Sequence, residues 1–195
     1  MKSKFIIIEG PDRVGKDTQQ DLIVKNMPTK VFHKIHYTSV PFKGEQGTTY
    51  SARMYTDMFE MMLSLKNKNI NIIFNRSHLG ESIYAPLYRE YNGDYVFEIE
   101  NKYVNSLREN LYLITLVNNT KTLVNRDDGN SFYESEEGLK AEVDGFNRAH
   151  IKSKIKNKLK INVGTMTAEE ISFIITDFLQ SKNTLEIDNQ LKLNL

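Results

Sequence analysis

The sequence predicts an α/β fold in which a five-stranded parallel sheet lies between two layers of helices. Short apolar runs alternate along the 195 residues with longer segments whose apolar residues recur every three or four positions. The first run, Phe-Ile-Ile-Ile at residues 5–8, is uninterrupted and too short for a helix, which indicates a strand buried on both faces. Strands that alternate with helices in this way are typical of a parallel sheet.

The predicted elements follow from the apolar runs, the helical spacing and the breakers between them. The runs predict strands at residues 5–8, 31–37, 70–74, 111–117 and 159–163. The spacing predicts helices at residues 18–27, 49–66, 79–91, 96–109, 139–158 and 167–179. Pro28 is expected to stop the first helix, and Pro86 to break or kink the third. Thr167 and Glu170 have the spacing of a capping box at the start of the last helix.

Composition limits the class of protein. Residues 1–180 are expected to form one domain, with a C-terminal tail at 181–195. The net charge of +1 gives no global electrostatic reason to bind nucleic acid or an anionic membrane, and the absence of cysteine excludes disulfides. No apolar run approaches the roughly 20 residues that span a bilayer. No signal-peptide core precedes the first strand, so a cytoplasmic location is expected.

The segment after the first strand has the spacing of a phosphate-binding loop, namely Gly10, four residues, and then Gly15 and Lys16. Glycines allow backbone N–H groups to point at phosphate oxygens, and the following helix N-terminus adds partial positive charge. The lysine supplies a cation for the β and γ phosphates. With the strand order, this loop predicts a three-layer P-loop NTPase fold. The residues expected to bind the phosphates of ATP are Gly10, Asp12, Arg13, Val14, Gly15, Lys16, Asp17 and Thr18.

A second cation follows the third predicted strand, which ends in Asn75-Arg76-Ser77. Open parallel sheets bind ligands at the carboxyl ends of their strands. Arg76 could therefore hold a second phosphate group through its bidentate guanidinium. The alternative is an arginine in a surface loop.

These motifs resemble those of thymidylate kinases. The opening FIIIEGPDRVGKDTQ has an acidic and then a basic residue, Asp12 and Arg13, where that family has them, and Asn75-Arg76 falls at the family's Asp-Arg. The segment NRSHLGESIYAPLYRE and the GKDT ending of the loop are similar to deoxynucleoside monophosphate kinases of bacteriophages. The resemblance covers residues 1–180. It implies transfer of the γ-phosphoryl group of ATP to a deoxynucleoside monophosphate, with Mg²⁺, and a homodimer.

The resemblance also implies roles for individual residues. Lys16 would hold the phosphates of ATP, Arg13 would reach the transferring group, and Arg76 would grip the acceptor phosphate. Asp12 would accept a hydrogen bond from the 3′-hydroxyl of the acceptor's sugar.

A polar, charged segment at about residues 118–138 is expected to be a mobile lid. Arg126 lies in it, where nucleotide kinases close over ATP, and Arg148 follows behind it. A closing arginine would exclude water and so suppress hydrolysis of ATP. The alternative is a solvated, charged loop.

Two residues depart from the pattern of the family. The loop usually ends in a hydroxyl residue that binds magnesium, where Asp17 stands here, and the residue before the arginine is usually a carboxylate, where Asn75 stands. Because hard cations need oxygen ligands, the hypothesis is that the carboxylate has moved from position 75 to position 17, with Asp17 and Thr18 as metal ligands. In the alternative, Asp17 only favours the helix N-terminus and Thr18 binds the metal.

The base of the acceptor needs an apolar or aromatic slot with a few polar contacts. Arg53 falls about where thymidylate kinases carry an arginine near the base. Phe42, Tyr84 and Tyr88 are the aromatic candidates. Each of these residues, taken singly, is more often a packing residue. His78 is expected to be structural or exposed, because phosphoryl transfer of this type has little need of a base.

Two other functions stay open. Arg76-Ser77 also resembles the Glu-Arg-Ser motif of deoxynucleoside kinases, although residues 36–41 offer no carboxylate base and Glu45 is the first one. Asp17 and Asn75 would favour a nucleotide-binding regulatory protein that has lost turnover. An assay of ATP with each monophosphate, beside the free nucleosides, separates the three functions.

Overall fold

A computed structural model describes residues 2–28, 30–125, 135–181 and 186–187 of the chain. Its strands are β1 (Phe5–Glu9), β2 (Phe32–His36), β3 (Asn71–Asn75), β4 (Leu111–Val117), β5 (Asn157–Asn162) and β6 (Glu186–Ile187). Its helices are α1 (Lys16–Asn26), α2 (Gly44–Leu65), α3 (His78–Tyr88), α4 (Tyr95–Tyr103), α5 (Thr120–Val124), α6 (Glu136–Lys152) and α7 (Ala168–Ser181). The five predicted strands are confirmed, and the two-residue β6 extends the sheet from the predicted tail.

The strands form one sheet in the order β2-β3-β1-β4-β5-β6, and every pair is parallel. β1 lies between β3 and β4, with β2 on one side and β5 on the other. The chain therefore builds the sheet outward in both directions from β1. Ligands bind to such sheets in the crevice outside the carboxyl ends of the strands, at this point of reversal.

The sheet separates two apolar cores, because successive side chains of a strand point to opposite faces. Helices α2, α3 and α4 cover one face, and α1 and α7 cover the other. The α/β fold with helices on both faces is thus confirmed. The two cores contain Phe5, Ile7, Phe59 and Phe74 on one face and Ile6, Ile8, Ile23 and Phe178 on the other.

Helix α2 begins at Gly44, five residues before its predicted start. The sequence pattern treats the glycines there as breakers. Gly47 instead lies in the first turn, where a Cβ would come within 2.5 Å of the ring of Tyr91. Close packing explains this glycine, and packing of that kind leaves no trace in the local sequence.

Helix α3 continues through Pro86 and ends two residues later, so the proline does not interrupt it in its middle. The capping box of α7 is present as predicted. The backbone N–H of Thr167 donates to Oε2 of Glu170 at 2.9 Å, and the N–H of Glu170 donates to Oγ1 of Thr167 at 3.2 Å. These reciprocal bonds satisfy two donors at the start of the helix.

The predicted lid at about 118–138 is described only at its edges, by α5 and by the beginning of α6. Arg126 lies outside the described residues. Across the described ranges, no helix combines the length and the hydropathy needed to cross a membrane.

Candidate active site

The loop between β1 and α1 is fixed against the sheet. Gly10 has a φ of 149°, and a Cβ there would lie 2.2 Å from the carbonyl oxygen of Leu116 on β4. Gly15, with a φ of 94°, forms the N-cap of α1. Between them, Val14 buries its side chain in the core below, with 2% of its surface exposed. The backbone of the loop is therefore held at the carboxyl ends of β1 and β4.

The ammonium group of Lys16 points back into this loop. It donates to the carbonyl oxygens of Gly10 at 2.8 Å and Pro11 at 2.7 Å, and it lies 3.7 Å from the carboxylate of Asp12. Burial lowers the pKa of Lys16 to about 8, although the charge of Asp12 opposes the shift. The ammonium group is therefore buried inside the loop, between two carbonyl oxygens and a carboxylate.

Asp12 connects the loop to the end of β3. Its carboxylate accepts a hydrogen bond from Arg76 at 2.8 Å, so that Lys16 and Arg76 share one carboxylate. The Nε of Arg76 is buried and, in the described part of the chain, has no hydrogen-bond partner. A buried donor without an acceptor is costly, and an anionic ligand at this edge would satisfy it.

Arg13 and Arg76 both have left-handed backbone conformations, with φ of 65° and 67°. Such a conformation costs a residue other than glycine roughly 1–2 kcal/mol. It persists where the surrounding structure fixes it, often at ligand sites. At Arg76, the backbone N–H donates to the carbonyl oxygen of Ile8 at 3.0 Å, which holds the residue beside β1.

Asp17 and Asn75, the two departures from the family pattern, are in direct contact. Nδ2 of Asn75 donates to the carboxylate of Asp17 and, at 3.2 Å, to Oε1 of Gln20. Oδ1 of Asn75 is buried without a hydrogen-bond partner among the described residues. The side chain of Asp17 is 83% exposed and lies 3.8 Å from Nδ1 of His36. Thr18, the next residue, is also exposed.

A cleft opens beside the loop. Among the described residues, four aromatic side chains line it, together with two arginines and two glutamates. The aromatic side chains are Tyr37, Tyr55, Tyr84 and Phe146, and the charged ones are Glu9, Arg76, Glu81 and Arg89.

Glu9 is a cleft residue that the sequence prediction missed. It is 1% exposed, and its Oε1 accepts the backbone N–H groups of Leu79 at 3.1 Å and Gly80 at 3.3 Å, in the first turn of α3. Burial raises the pKa of Glu9, although neighbouring positive charges oppose the rise. The available signal was a carboxylate at the end of an otherwise apolar strand.

Glu142 of α6 was also missed, because helical spacing does not separate it from the exposed charges of that helix. It is 1% exposed; its Oε1 accepts the hydroxyl of Tyr88 at 2.7 Å, and its Oε2 has no hydrogen-bond partner within the described ranges. Burial raises the pKa of Glu142 to about 6, with the charge of Asp12 adding to the rise and the bond from Tyr88 opposing it.

Two of the four residues predicted for the base lie at or near the cleft. Tyr84 lines it, and Tyr88 stacks on Tyr84 with 6.1 Å between the ring centroids. Phe42 and Arg53 do not line it. Phe42 is 41% exposed, and the side chain of Arg53 is 77% exposed and pairs with Asp57 at 2.8 Å.

His78 is fully buried, as expected for a structural residue. Its Nε2 lies 2.9 Å from Oε2 of Glu100, and its Nδ1 lies 2.8 Å from Oγ of Ser77. Arg148, in contrast, is exposed on α6 and lies near Asp94, away from the phosphate loop.

Comparison with known proteins gives structural matches only. No family model matches the chain, and no curated protein matches it in sequence. The YorR protein of Bacillus subtilis, solved in complex with phosphorylated GDP, is similar in structure with a TM-score of 0.69 and 14% identity, over 92% of this chain and 97% of YorR. Thymidylate kinase from Candida albicans has a TM-score of 0.69 and 13% identity, over 93% of this chain and 92% of that one. The chain therefore shares the α/β fold of these two proteins.

Proposed function

We propose that the chain transfers the γ-phosphoryl group of ATP to a deoxynucleoside monophosphate. The observation that carries the proposal is the carboxylate of Asp12, shared by Lys16 and Arg76. A nucleotide hydrolase needs the cation of the loop, whereas a kinase with a phosphorylated acceptor needs a second cation beside an acceptor cleft. The thymidylate kinase of the same fold, and the GDP-related ligand of YorR, support a nucleotide acceptor.

In this proposal the phosphates of ATP lie on residues 10–18, where Lys16 and Arg13 neutralise the transferring group. Arg76 holds the acceptor phosphate through its Nε, which has no hydrogen-bond partner among the described residues. An oxygen of that phosphate forms a bond to the γ phosphorus as the bond to the β-phosphate oxygen breaks, which leaves ADP. Positioning and electrostatic stabilisation supply most of the catalysis in such transfers. Arg126 is proposed to close the lid.

The residues of the loop fit a magnesium ion. Asp17 and Thr18 are exposed oxygen donors at the first turn of α1, and the buried Oδ1 of Asn75 has no partner among the described residues. No three His, Cys, Asp or Glu side chains in the described ranges form a metal cluster. The metal is therefore expected to bind largely through phosphates and water, as Mg²⁺ commonly does. When bound, it would neutralise phosphate charge.

A second candidate, a deoxynucleoside kinase, is favoured by one observation. Glu9 lines the cleft as a buried carboxylate, and burial raises its pKa. A carboxylate of that kind could accept the proton of a sugar hydroxyl. A free nucleoside, however, would leave Arg76 without an anion.

The test is a steady-state comparison of Arg76→Gln with Arg108→Gln, an exposed arginine before β4. Arg76→Gln is expected to raise KM for the monophosphate on the order of tenfold or more, with little change in KM for ATP. Arg108→Gln should match the wild type in both. An unchanged KM for the monophosphate would contradict the assignment of Arg76.

Light scattering tests the homodimer that the family resemblance implies.

A further inference from the structure

A buried ion pair lies in the cleft beside the phosphate loop, which Tyr55 of α2 also lines. Nη1 of Arg89 donates to Oε2 of Glu81 at 2.6 Å. Glu81 is 1% exposed and Arg89 is 9% exposed, and both line the cleft. Removing two charges from water is costly, and a buried ion pair rarely stabilises a fold more than apolar residues of the same size would. The pair therefore calls for an explanation beyond stability.

The surrounding structure fixes the position of the Glu81 carboxylate, which in turn binds Arg89. Oε1 of Glu81 accepts the hydroxyl of Tyr91 and, at 3.4 Å, that of Tyr95. The loop after α3 packs so closely here that a Cβ at Gly93 would lie 2.2 Å from the carbonyl oxygen of Glu81. Both carboxylate oxygens of Glu81 are thus engaged, and the position of the guanidinium is set before any ligand binds.

Arg89 keeps donors for a ligand. A guanidinium has five N–H donors and no acceptor. Within the described part of the chain, Arg89 hydrogen bonds to Glu81 and Tyr91. Since Arg89 also lines the cleft, its remaining N–H groups can meet a group that enters between the aromatic walls, Tyr55 and Tyr84.

Arg76 and Arg89 serve different ends of the acceptor. Arg76 lies at the phosphate loop against Asp12, whereas Arg89 caps the other end of α3 and reaches back to Glu81. A monophosphate held by Arg76 would place its base between the aromatic side chains. The edge of that base would then meet a set of N–H donors.

We infer that Arg89, held by Glu81, reads the base of the acceptor and favours bases that present a carbonyl oxygen there. The inference rests on the proposed kinase function and names its substrate class. Thymine and uracil present O4 and guanine presents O6, and both of these oxygens are acceptors for arginine. Cytosine and adenine present an amino group instead, which would face the guanidinium donor to donor.

The test measures kcat/KM for dTMP, dUMP, dGMP, dCMP and dAMP with ATP. For each monophosphate that the cleft admits and whose base presents a carbonyl oxygen, kcat/KM is expected to exceed the kcat/KM for dCMP and for dAMP on the order of tenfold or more. Equal or better turnover of dCMP or dAMP would overturn the role of Arg89 and leave the kinase function standing. Absence of phosphoryl transfer to all five would overturn both.

A variant assigns the discrimination to Arg89. Arg89→Gln keeps a hydrogen-bond donor for Glu81 but presents an amide that can donate or accept. The ratio of dTMP to dCMP turnover is expected to fall on the order of tenfold, with Arg108→Gln unchanged. Circular dichroism and binding of ATP confirm that the variant folds. If Arg89→Gln is unfolded, Glu81→Gln with Arg89→Gln replaces the pair without leaving a buried charge. A folded variant of either kind that retains the full ratio would overturn the inference.

Discussion

The amide nitrogen of Asn75 donates a hydrogen bond to the carboxylate of Asp17, which joins the end of β3 to the first turn of α1. These are the two positions at which the chain departs from the thymidylate kinase pattern. Their contact gives a physical reason to treat the departures as one change. A carboxylate at either position would reach the same space, and the residue opposite it, an amide here or a hydroxyl in the family pattern, would donate the hydrogen bond.

Asp17→Ser is expected to lower magnesium-dependent turnover on the order of tenfold or more, because it removes the only charged oxygen donor proposed for the metal. Adding Asn75→Asp should restore part of it. Binding of ATP with and without Mg²⁺, measured by calorimetry, is the readout apart from activity. Asp21→Ser is the control, since Asp21 lies one turn further on α1 and pairs with Lys34. A double variant no better than Asp17→Ser would refute the exchange.

Gly10→Ala is expected to lower the free energy of unfolding by about 2 kcal/mol or more, because the new Cβ would lie 2.2 Å from a backbone oxygen of β4. Gly44→Ala is the matched control. Its φ of 56° is also left-handed, but a Cβ there has no neighbour within 4 Å. A cost of roughly 1 kcal/mol is expected there. Chemical denaturation measures both, and equal losses would contradict the steric explanation.

Binding of ATP is expected to weaken as the pH rises through about 8. Burial lowers the pKa of Lys16 to about 8 from 10.5, so the free protein loses this ammonium in that range. The folded state then binds fewer protons than the unfolded state between pH 8 and 10.5, and this group makes stability rise with pH across that window. Calorimetry from pH 7 to 9.5 should show the loss of affinity. Lys34→Met should keep the profile, whereas a flat wild-type profile would exclude Lys16 as the titrating group.

Glu142→Gln is expected to raise the free energy of unfolding, relative to the wild type, more at pH 7 than at pH 4.5. Burial raises the pKa of Glu142 from 4.5 to about 6, so the folded state prefers the neutral acid. The stability that the protonated Glu142 gives to the folded state is complete below pH 4.5. It falls by about 2 kcal/mol as the pH rises through 6. The difference in unfolding free energy between variant and wild type should therefore grow from pH 4.5 to 7. The exposed Glu137→Gln should show no such growth.

The sequence predicted the fold well because its signals are local. Buried strands such as β4 are continuous runs of apolar, aromatic and β-branched residues. The spacing of Gly10, Gly15 and Lys16 is itself a geometric requirement of the loop. The start of α2 was misplaced because Gly47 is needed for close packing against the ring of Tyr91 and not as a helix breaker. That contact joins distant parts of the chain.

The site was predicted only where a motif marks it. Asp12, Lys16 and Arg76 lie together because the loop after β1 and the residue after β3 meet at neighbouring carboxyl ends of the sheet. Their roles toward ligands stay predictions. The burial of Glu142, and the position of the Glu81–Arg89 pair at the cleft, depend on which face of a helix turns inward, which single residues in a sequence do not reveal.

The most direct measurement of the central claim follows the label from γ-³²P-ATP in the presence of Mg²⁺ and, in separate reactions, dTMP, dGMP or the free deoxynucleosides. We expect labelled deoxynucleoside diphosphate to form, and Lys16→Met to abolish it. Label that appears only as inorganic phosphate, or only in monophosphates made from free nucleosides, would contradict the proposed function.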